Sequence, residues 1–241
     1  MDQSPRVSTV PSIVELAPFY ADPPDGLRAN MIFSADGAAA FGGRAGPLSC
    51  PTDQRLLRIL RGLADVVLVG AGTARAENYG PVKLGDAARA RRHHEGRFAP
   101  PPIAVVSRSG DLPARLFSDP EQPPILVTCA RTAARLDGDD RPDDRLRVLI
   151  AGEDTVDVAL AVAMLREQGM RRILCEGGPT LLDELVEADA VTELCVTLAP
   201  RLAASQPVGY RVHPARLTAP VTMRLAHALV CDDYLFLKYS R

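Results

Sequence analysis

The stretch Ala64-Asp65-Val66-Val67-Leu68-Val69-Gly70-Ala71-Gly72-Thr73-Ala74-Arg75-Ala76-Glu77 restricts what this chain can fold into more than any other. Val66, Val67, Leu68 and Val69 follow one another with no polar residue between them, the pattern of a strand buried on both faces, since a strand with one wet face alternates. That strand runs directly into glycine. Gly70 and Gly72 free the backbone to turn sharply and to approach a ligand with no Cβ in the way, and Thr73 is placed to cap a helix with its hydroxyl. Free N–H groups and the positive end of a helix dipole at such a junction favour a phosphate. Two glycines after a strand also make an ordinary tight turn, so this junction alone leaves both readings open.

A second junction of the same kind follows. Arg172-Ile173-Leu174-Cys175 reads as a buried strand, and Glu176-Gly177-Gly178-Pro179-Thr180-Leu181-Leu182 as a glycine turn entering a helix. Pro179 suits the first helical turn, and Leu181, Leu182, Leu185 and Val186 share one face. The ordinary dinucleotide fingerprint is incomplete: its third glycine is displaced, and no acidic strand end follows about 20 residues on. A standard Rossmann domain is therefore not expected.

Composition excludes several classes. The 28 Lys and Arg balance 30 Asp and Glu to a net charge of −2, so nothing draws the chain to nucleic acid or to an anionic membrane. The five cysteines (Cys50, Cys129, Cys175, Cys195 and Cys231) are odd in number and mostly embedded in apolar strand patterns, which fits a reduced, cytoplasmic protein. Neither Cys-x-x-Cys nor paired histidines with chelating spacing occur, so no metal site is expected. His93 and His94 are adjacent and point apart in either a helix or a strand. No apolar run is long enough to span a membrane, and the first residues lack the order of a signal peptide.

In chain order, residues 1–26 carry five prolines, and they read as an arm packed on the domain through Ile13, Val14, Leu16, Phe19 and Tyr20. Residues 27–241 read as one domain. Residues 27–33 form a strand ending in the turn Ser34-Ala35-Asp36-Gly37. Asn30 puts a side-chain amide inside that strand, where a neighbouring backbone group or a ligand must satisfy it. Residues 53–63 form a helix capped by Thr52 or Asp53, with Leu56, Leu57, Leu60 and Leu63 inward and Arg55, Arg58 and Arg61 turned elsewhere. Such arginines usually form a solvated face, though one of them can reach a substrate phosphate. Residues 83–102, basic and almost without apolar content, read as a mobile surface excursion. Strands follow at 103–106, 124–129 and 146–150, with an acidic loop at 137–144. A helix over 155–168 is closed by Gly169. The first of these strands ends in Ser107-Arg108-Ser109-Gly110, where a hydroxyl and a guanidinium suit a sugar 2′-phosphate, although the same residues also make an ordinary turn. Strand patterns at 191–198, 221–230 and 234–239 have no helix between them. The expected fold is α/β: a mostly parallel sheet with helices on both faces and antiparallel C-terminal strands.

The ordered motifs Asn30…Ser34-Ala35-Asp36-Gly37, the stretch 64–73, Ile173-Leu174-Cys175-Glu176-Gly177-Gly178-Pro179-Thr180-Leu181 and Leu198-Ala199-Pro200 resemble the pyrimidine reductases of riboflavin biosynthesis. These are related to the reductase half of the bifunctional deaminase–reductase and have a dihydrofolate-reductase-like fold. The resemblance covers about residue 27 to the C-terminus and implies an NADPH-dependent reductase, usually a homodimer, that reduces the ribose of a phosphoribosylaminopyrimidine to ribityl, as in 5-amino-6-(5-phosphoribosylamino)uracil reductase. It implies cofactor contacts at Gly70, Ala71, Gly72 and Thr73, at Ser107, and at Gly177, Gly178, Pro179, Thr180 and Leu181. The strand-end reading adds Arg108. It implies substrate contacts at Asn30, Arg61 and Glu176. Glu176 or Asp36 is the candidate proton relay, and Asp36 is also readable as only a turn former.

This chain departs from the bifunctional proteins in two places. Ala45 and Pro47 stand where those proteins have serine and tryptophan, and Ala76-Glu77-Asn78-Tyr79-Gly80-Pro81 stands where they have Asp-Pro-x-Leu. The deaminase signature, His-x-Glu followed by Pro-Cys-x-x-Cys, is absent from the sequence. The same fold and pocket would also serve a reductase of another heterocycle, such as a dihydrofolate or a pterin, or an NADPH-binding protein without turnover.

Overall fold

The computed structural model describes residues 6–9, 12, 16–136, 145–204 and 217–241. Its strands are β1 (Arg6–Thr9), β2 (Gly26–Ser34), β3 (Val66–Gly70), β4 (Ile103–Val106), β5 (Ile125–Thr128), β6 (Arg147–Ile150), β7 (Arg172–Cys175), β8 (Val191–Ala199), β9 (Arg224–Cys231) and β10 (Tyr234–Ser240). Its α-helices are α1 (Pro51–Leu63), α2 (Ala71–Ala76), α3 (Asp86–His94), α4 (Ala130–Leu136), α5 (Val158–Glu167) and α6 (Pro179–Glu187).

The strands make one sheet in the order β1-β9-β10-β8-β2-β7-β3-β4-β5-β6. From β8 to β6 all neighbours are parallel. β10 is antiparallel to both β8 and β9. The expected mixed sheet, with its antiparallel C-terminal part, is therefore present. β3 lies near the middle and its four apolar side chains are at most 1% exposed. Strand alternation divides them between two cores: Val67 and Val69 pack with Leu56 and Leu60 of α1, and Val66 and Leu68 with Leu165 of α5 and Leu181 and Leu185 of α6. Helices cover both faces, as a mostly parallel sheet requires.

Several expectations need correction. Within the N-terminal segment, expected as an arm packed on the domain, lies a strand that the sequence pattern does not specify: β1 pairs in parallel with β9, Arg6 opposite His227. Ile13, Val14 and the acidic loop at 137–144 lie outside the described residues. Strand β9 starts at Arg224, not at Val221. The cap of α1 is Cys50, whose Sγ accepts the Asp53 N–H at 3.4 Å. Thr52 and Asp53 sit inside the first turn, and their side chains are buried against other elements.

The largest correction concerns residues 83–102. They contain helix α3, and Arg92 is only 5% exposed. Its Nη1 donates to Ala64 O at 2.6 Å and its Nη2 to Ala99 O at 2.7 Å, while Arg97 Nη1 donates to Leu63 O and Ala64 O at 3.1 Å each. The last carbonyls of a helix have no intrahelical donor, and cations are favoured beside them. Two arginines therefore tie this segment to the end of α1, and a reading by apolar content cannot register that kind of anchoring.

Candidate functional site

Strands β2, β7 and β3 are neighbours, and their register brings three chain segments to one level. Ala29 lies opposite Cys175, and Cys175 opposite Leu68. One residue further on, Asn30 and Glu176 both face the α1 side, because Ala29 and Cys175 belong to the opposite core. Just past the end of β7 the chain is bonded directly to the last residues of β3, which joins the two glycine junctions. Glu176 N–H donates to Leu68 O at 2.9 Å, and Gly70 N–H to Gly177 O at 2.7 Å.

The glycines act differently from the sequence expectation. Gly70, at φ −73° and ψ 142°, leads the strand into α2 with ordinary backbone angles, and Gly70, not Thr73, is the N-cap. Gly72 has open space around the position of a Cβ, so no packing within the chain requires a glycine there. The second turn has stricter needs. Gly177 has φ +77°, and a Cβ on it would lie 2.9 Å from Met31 Sδ. A Cβ on Gly178 would collide with Thr73 Oγ1 from the other junction. Pro179 opens α6 as expected, and the first intrahelical bond runs from Leu182 N–H to Gly178 O. Thr180 and Leu181 N–H are thus left at the helix start without an intrahelical acceptor. The Leu181 side chain itself lies in the core, 5% exposed.

Glu176 is 8% exposed, and both of its carboxylate oxygens accept hydrogen bonds. Arg61 Nε donates to its Oε1 at 2.7 Å and Arg61 Nη2 to its Oε2 at 2.6 Å, a two-pronged pair of the kind a guanidinium makes with a carboxylate. Tyr79 Oη donates to Oε2 at 2.5 Å. Arg61 reaches this position because Leu56 and Leu60, each 1% exposed, fix the inward face of α1; burying such a side chain is worth about 1.5–3 kcal/mol. Arg55 and Arg58 remain on the solvated face. Burial, the largest single influence, draws the Arg61 guanidinium down, but the Glu176 charge and hydrogen bonds, with a smaller contribution from Tyr79, together outweigh it and hold the group above its ordinary value. Burial, then the Glu176 charge, push the Tyr79 hydroxyl well above the ordinary tyrosine value.

Asn30 lies beside this cluster with its Oδ1 buried and without a hydrogen-bond partner. A buried acceptor left unmatched costs about 1–3 kcal/mol, so an N–H or O–H arriving with a ligand has a place prepared for it.

Asp36 is a turn former. Its carboxylate accepts from Ser34 Oγ at 2.5 Å, Ala203 N–H at 3.1 Å and Ala204 N–H at 2.8 Å. The Ser34 bond, then the Ala203 N–H, hold its carboxyl below the ordinary aspartate value, which suits it poorly to passing a proton near neutrality. The Ser107 hydroxyl is likewise used within its own turn, accepting from Gly110 N–H at 3.0 Å, and the residue is 3% exposed. The Arg108 side chain is exposed at the end of β4. Sequence reasoning marked the segment holding Glu77 and Tyr79 as a departure from the bifunctional proteins but assigned neither residue a role. Glu77 Oε1 accepts Ala45 N–H at 2.6 Å and its Oε2 lies 3.5 Å from Arg44 Nη2, so the two departures from the bifunctional proteins touch one another. A single aromatic within the polar run 75–80 was the available signal.

Among the described residues no group of His, Cys, Asp and Glu could hold a metal, and no helix is long and apolar enough to cross a membrane. The chain is 28% identical over 204 residues to 2,5-diamino-6-ribosylamino-4(3H)-pyrimidinone 5′-phosphate reductase from Archaeoglobus fulgidus, covering 80% of each protein. A reductase of the same name from Methanothermobacter thermautotrophicus is 27% identical over 184 residues, 72% of this chain and 76% of that protein. The crystal structure of a pyrimidine reductase-like protein from Corynebacterium diphtheriae superposes with a TM-score of 0.80 at 27% identity, covering 95% of this chain and 98% of that one. The RibD C-terminal domain profile matches residues 26–233, a span holding both glycine junctions, Asn30, Arg61 and Glu176. With that match across most of its length, the chain belongs to the RibD C-terminal domain family.

Proposed function

We propose that this chain is an NADPH-dependent reductase of a phosphoribosylaminopyrimidine, adding one hydride and one proton to convert the ribose to a ribityl chain. The observation that carries the reading is the unpartnered, buried Asn30 Oδ1 beside the Arg61–Glu176 pair, one step from two joined glycine junctions. The names of the archaeal relatives support the substrate class. The junctions fit a dinucleotide: Gly72 leaves open space that no packing requires, and the N–H groups of Thr180 and Leu181 lie at a helix start.

Gly70, Ala71, Gly72 and Thr73, with Gly177, Gly178, Pro179, Thr180 and Leu181, would hold NADPH. Arg108 would meet its 2′-phosphate, and Ser107 would shape that turn. When bound, the cofactor supplies the hydride. Asn30 orients the pyrimidine by accepting a donor from it, and Glu176, held by Arg61, presents a fixed carboxylate to the substrate. Positioning of this kind accounts for a large part of enzymatic rate enhancement. A homodimer in the cytoplasm completes the reading. It is supported by strand edges left unpaired among the described residues at β1 and β6, with Ile150 47% exposed, and by five free cysteines.

Steady-state NADPH oxidation by the purified chain tests this. Turnover is expected with the diaminopyrimidinone phosphate, with its deaminated uracil counterpart, or with both. Turnover on dihydrofolate alone would reassign the substrate, and binding without any turnover would make the chain a non-catalytic NADPH protein. NADPH is expected to bind at least about tenfold tighter than NADH, a difference of about 1.4 kcal/mol, with Arg108→Ala narrowing the gap. A monomer at micromolar concentration by light scattering would remove the dimer.

A further inference from the structure

Tyr79 lies in the segment where this chain departs from the bifunctional proteins, and it touches both members of the buried ion pair. Its hydroxyl bonds Glu176 Oε2 at 2.5 Å, and its ring centroid is 5.3 Å from the Arg61 guanidinium carbon. Two parallel bonds fix a guanidinium and a carboxylate relative to each other. They leave the pair free to pivot on two flexible stems, one from the end of α1 and one from beyond β7. A third contact from a different element removes that freedom.

Tyr79 is well placed to supply it. Its N–H donates to Ala74 O at 2.8 Å, and its ring packs against the α1-side core. The residues on either side are held too. Arg115 Nη1 donates to Asn78 O at 3.1 Å, and Glu77 accepts from Ala45 N–H at 2.6 Å. Segment 77–79 therefore joins the 44–46 loop to Glu176 through two side chains.

We infer that Tyr79 is a positioning residue for the reduction, fixing the Glu176 carboxylate against substrate by bracing the Arg61–Glu176 pair; the inference rests on the function proposed above. Burial, then the Glu176 charge, hold its hydroxyl protonated, so it stays a donor at and above neutrality.

Tyr79→Phe in the full chain removes the hydroxyl and keeps the ring. With NADPH and the diaminopyrimidinone phosphate, kcat is expected to fall roughly 10- to 100-fold, the scale of a misplaced group near a reacting centre. NADPH affinity should stay at the wild-type value, while the melting temperature falls by a few degrees at most, since one buried hydrogen bond is lost. Because Tyr79 acts through Glu176, Tyr79→Phe combined with Glu176→Gln should be no slower than Glu176→Gln alone. Wild-type kcat and KM in Tyr79→Phe, or losses that multiply in the double variant, would overturn the inference. A crystal structure of Tyr79→Phe supplies a readout independent of turnover. The Glu176 carboxylate should have moved from its wild-type position, and an unmoved carboxylate would overturn the inference. If the wild-type protein reduces neither pyrimidine, the proposed function fails, and the crystal structure still decides the role of Tyr79.

Discussion

Thr73 and Gly178, 105 positions apart in the chain, are packed so closely that a methyl group on Gly178 has no room beside the Thr73 hydroxyl. The two junctions proposed to hold NADPH thus share one contact, and the backbone bond from Gly70 N–H to Gly177 O at 2.7 Å seals it. Gly178→Ala should force them apart and weaken NADPH binding at least about tenfold. Adding Thr73→Ala should relieve the collision and restore part of the affinity. Calorimetry on both variants checks this, and an unimpaired Gly178→Ala would separate the contact from the cofactor.

Gly72 gives the opposite test. A Cβ there meets nothing within 4 Å outside its own helix backbone, and the residue sits in α2 with no positive φ, so neither space at the Cβ nor backbone conformation demands glycine at that point. Gly72→Val should leave the circular dichroism spectrum unchanged. Replacing an unneeded helical glycine removes a cost of about 0.5–1 kcal/mol against alanine, partly offset for valine by its stiff χ1. Cofactor binding should be lost, because a branched side chain would occupy the space left for the pyrophosphate. Retained binding would take this junction out of the site.

Asp53 carries a pH dependence separate from catalysis. Burial raises its carboxyl above the ordinary aspartate value, and the bonds from Ser49 Oγ at 2.5 Å and Thr197 Oγ1 at 2.8 Å only partly compensate. A raised folded-state value means that its stability contribution is fully present below the unfolded value and is lost as pH rises through the folded one. Asp53→Asn removes the ionisation. It should gain on wild type as pH climbs from just below the ordinary aspartate range toward neutrality, in urea unfolding at successive pH values. A constant difference across that range would show that Asp53 does not titrate in this way.

What the sequence revealed follows from period and punctuation. Val66 to Val69 announced a doubly buried strand, Pro179 a helix start and Gly169 a helix end, because each acts through local backbone geometry. The arginines were opaque for a related reason. Arg55, Arg58 and Arg61 share one helix and one chemistry, and only the packing of α1 on the sheet, where β7 is registered against β3, brings Glu176 to Arg61 and not to the others. Arg92 was hidden in the same way, since a guanidinium bonded to the carbonyls at a helix end leaves no periodic mark. Tyr79 belongs with these: its partner is 97 residues away, and the link appears once both glycine junctions are in place.

Asn30 separates ligand binding from folding most directly. In the free protein its Oδ1 is buried without a partner, and an unmatched buried acceptor costs about 1–3 kcal/mol. Replacing it with leucine, close in size and with no polar atom, removes that cost on the strand face beside Cys195, its register partner on β8. Asn30→Leu should therefore unfold at higher urea concentration than wild type, by about 1–3 kcal/mol less any strain from the altered shape. Activity should move the other way. If the oxygen accepts a donor from the pyrimidine, its removal leaves that donor unmatched in the complex, and kcat/KM should fall by roughly tenfold or more, the loss expected for a buried hydrogen bond of about 1–3 kcal/mol. NADPH affinity should hold if the donor comes from the pyrimidine and fall if it comes from the cofactor, so titrations with each ligand identify which one Asn30 meets. A variant that loses stability and keeps full activity would show that Asn30 serves the strand and not the site.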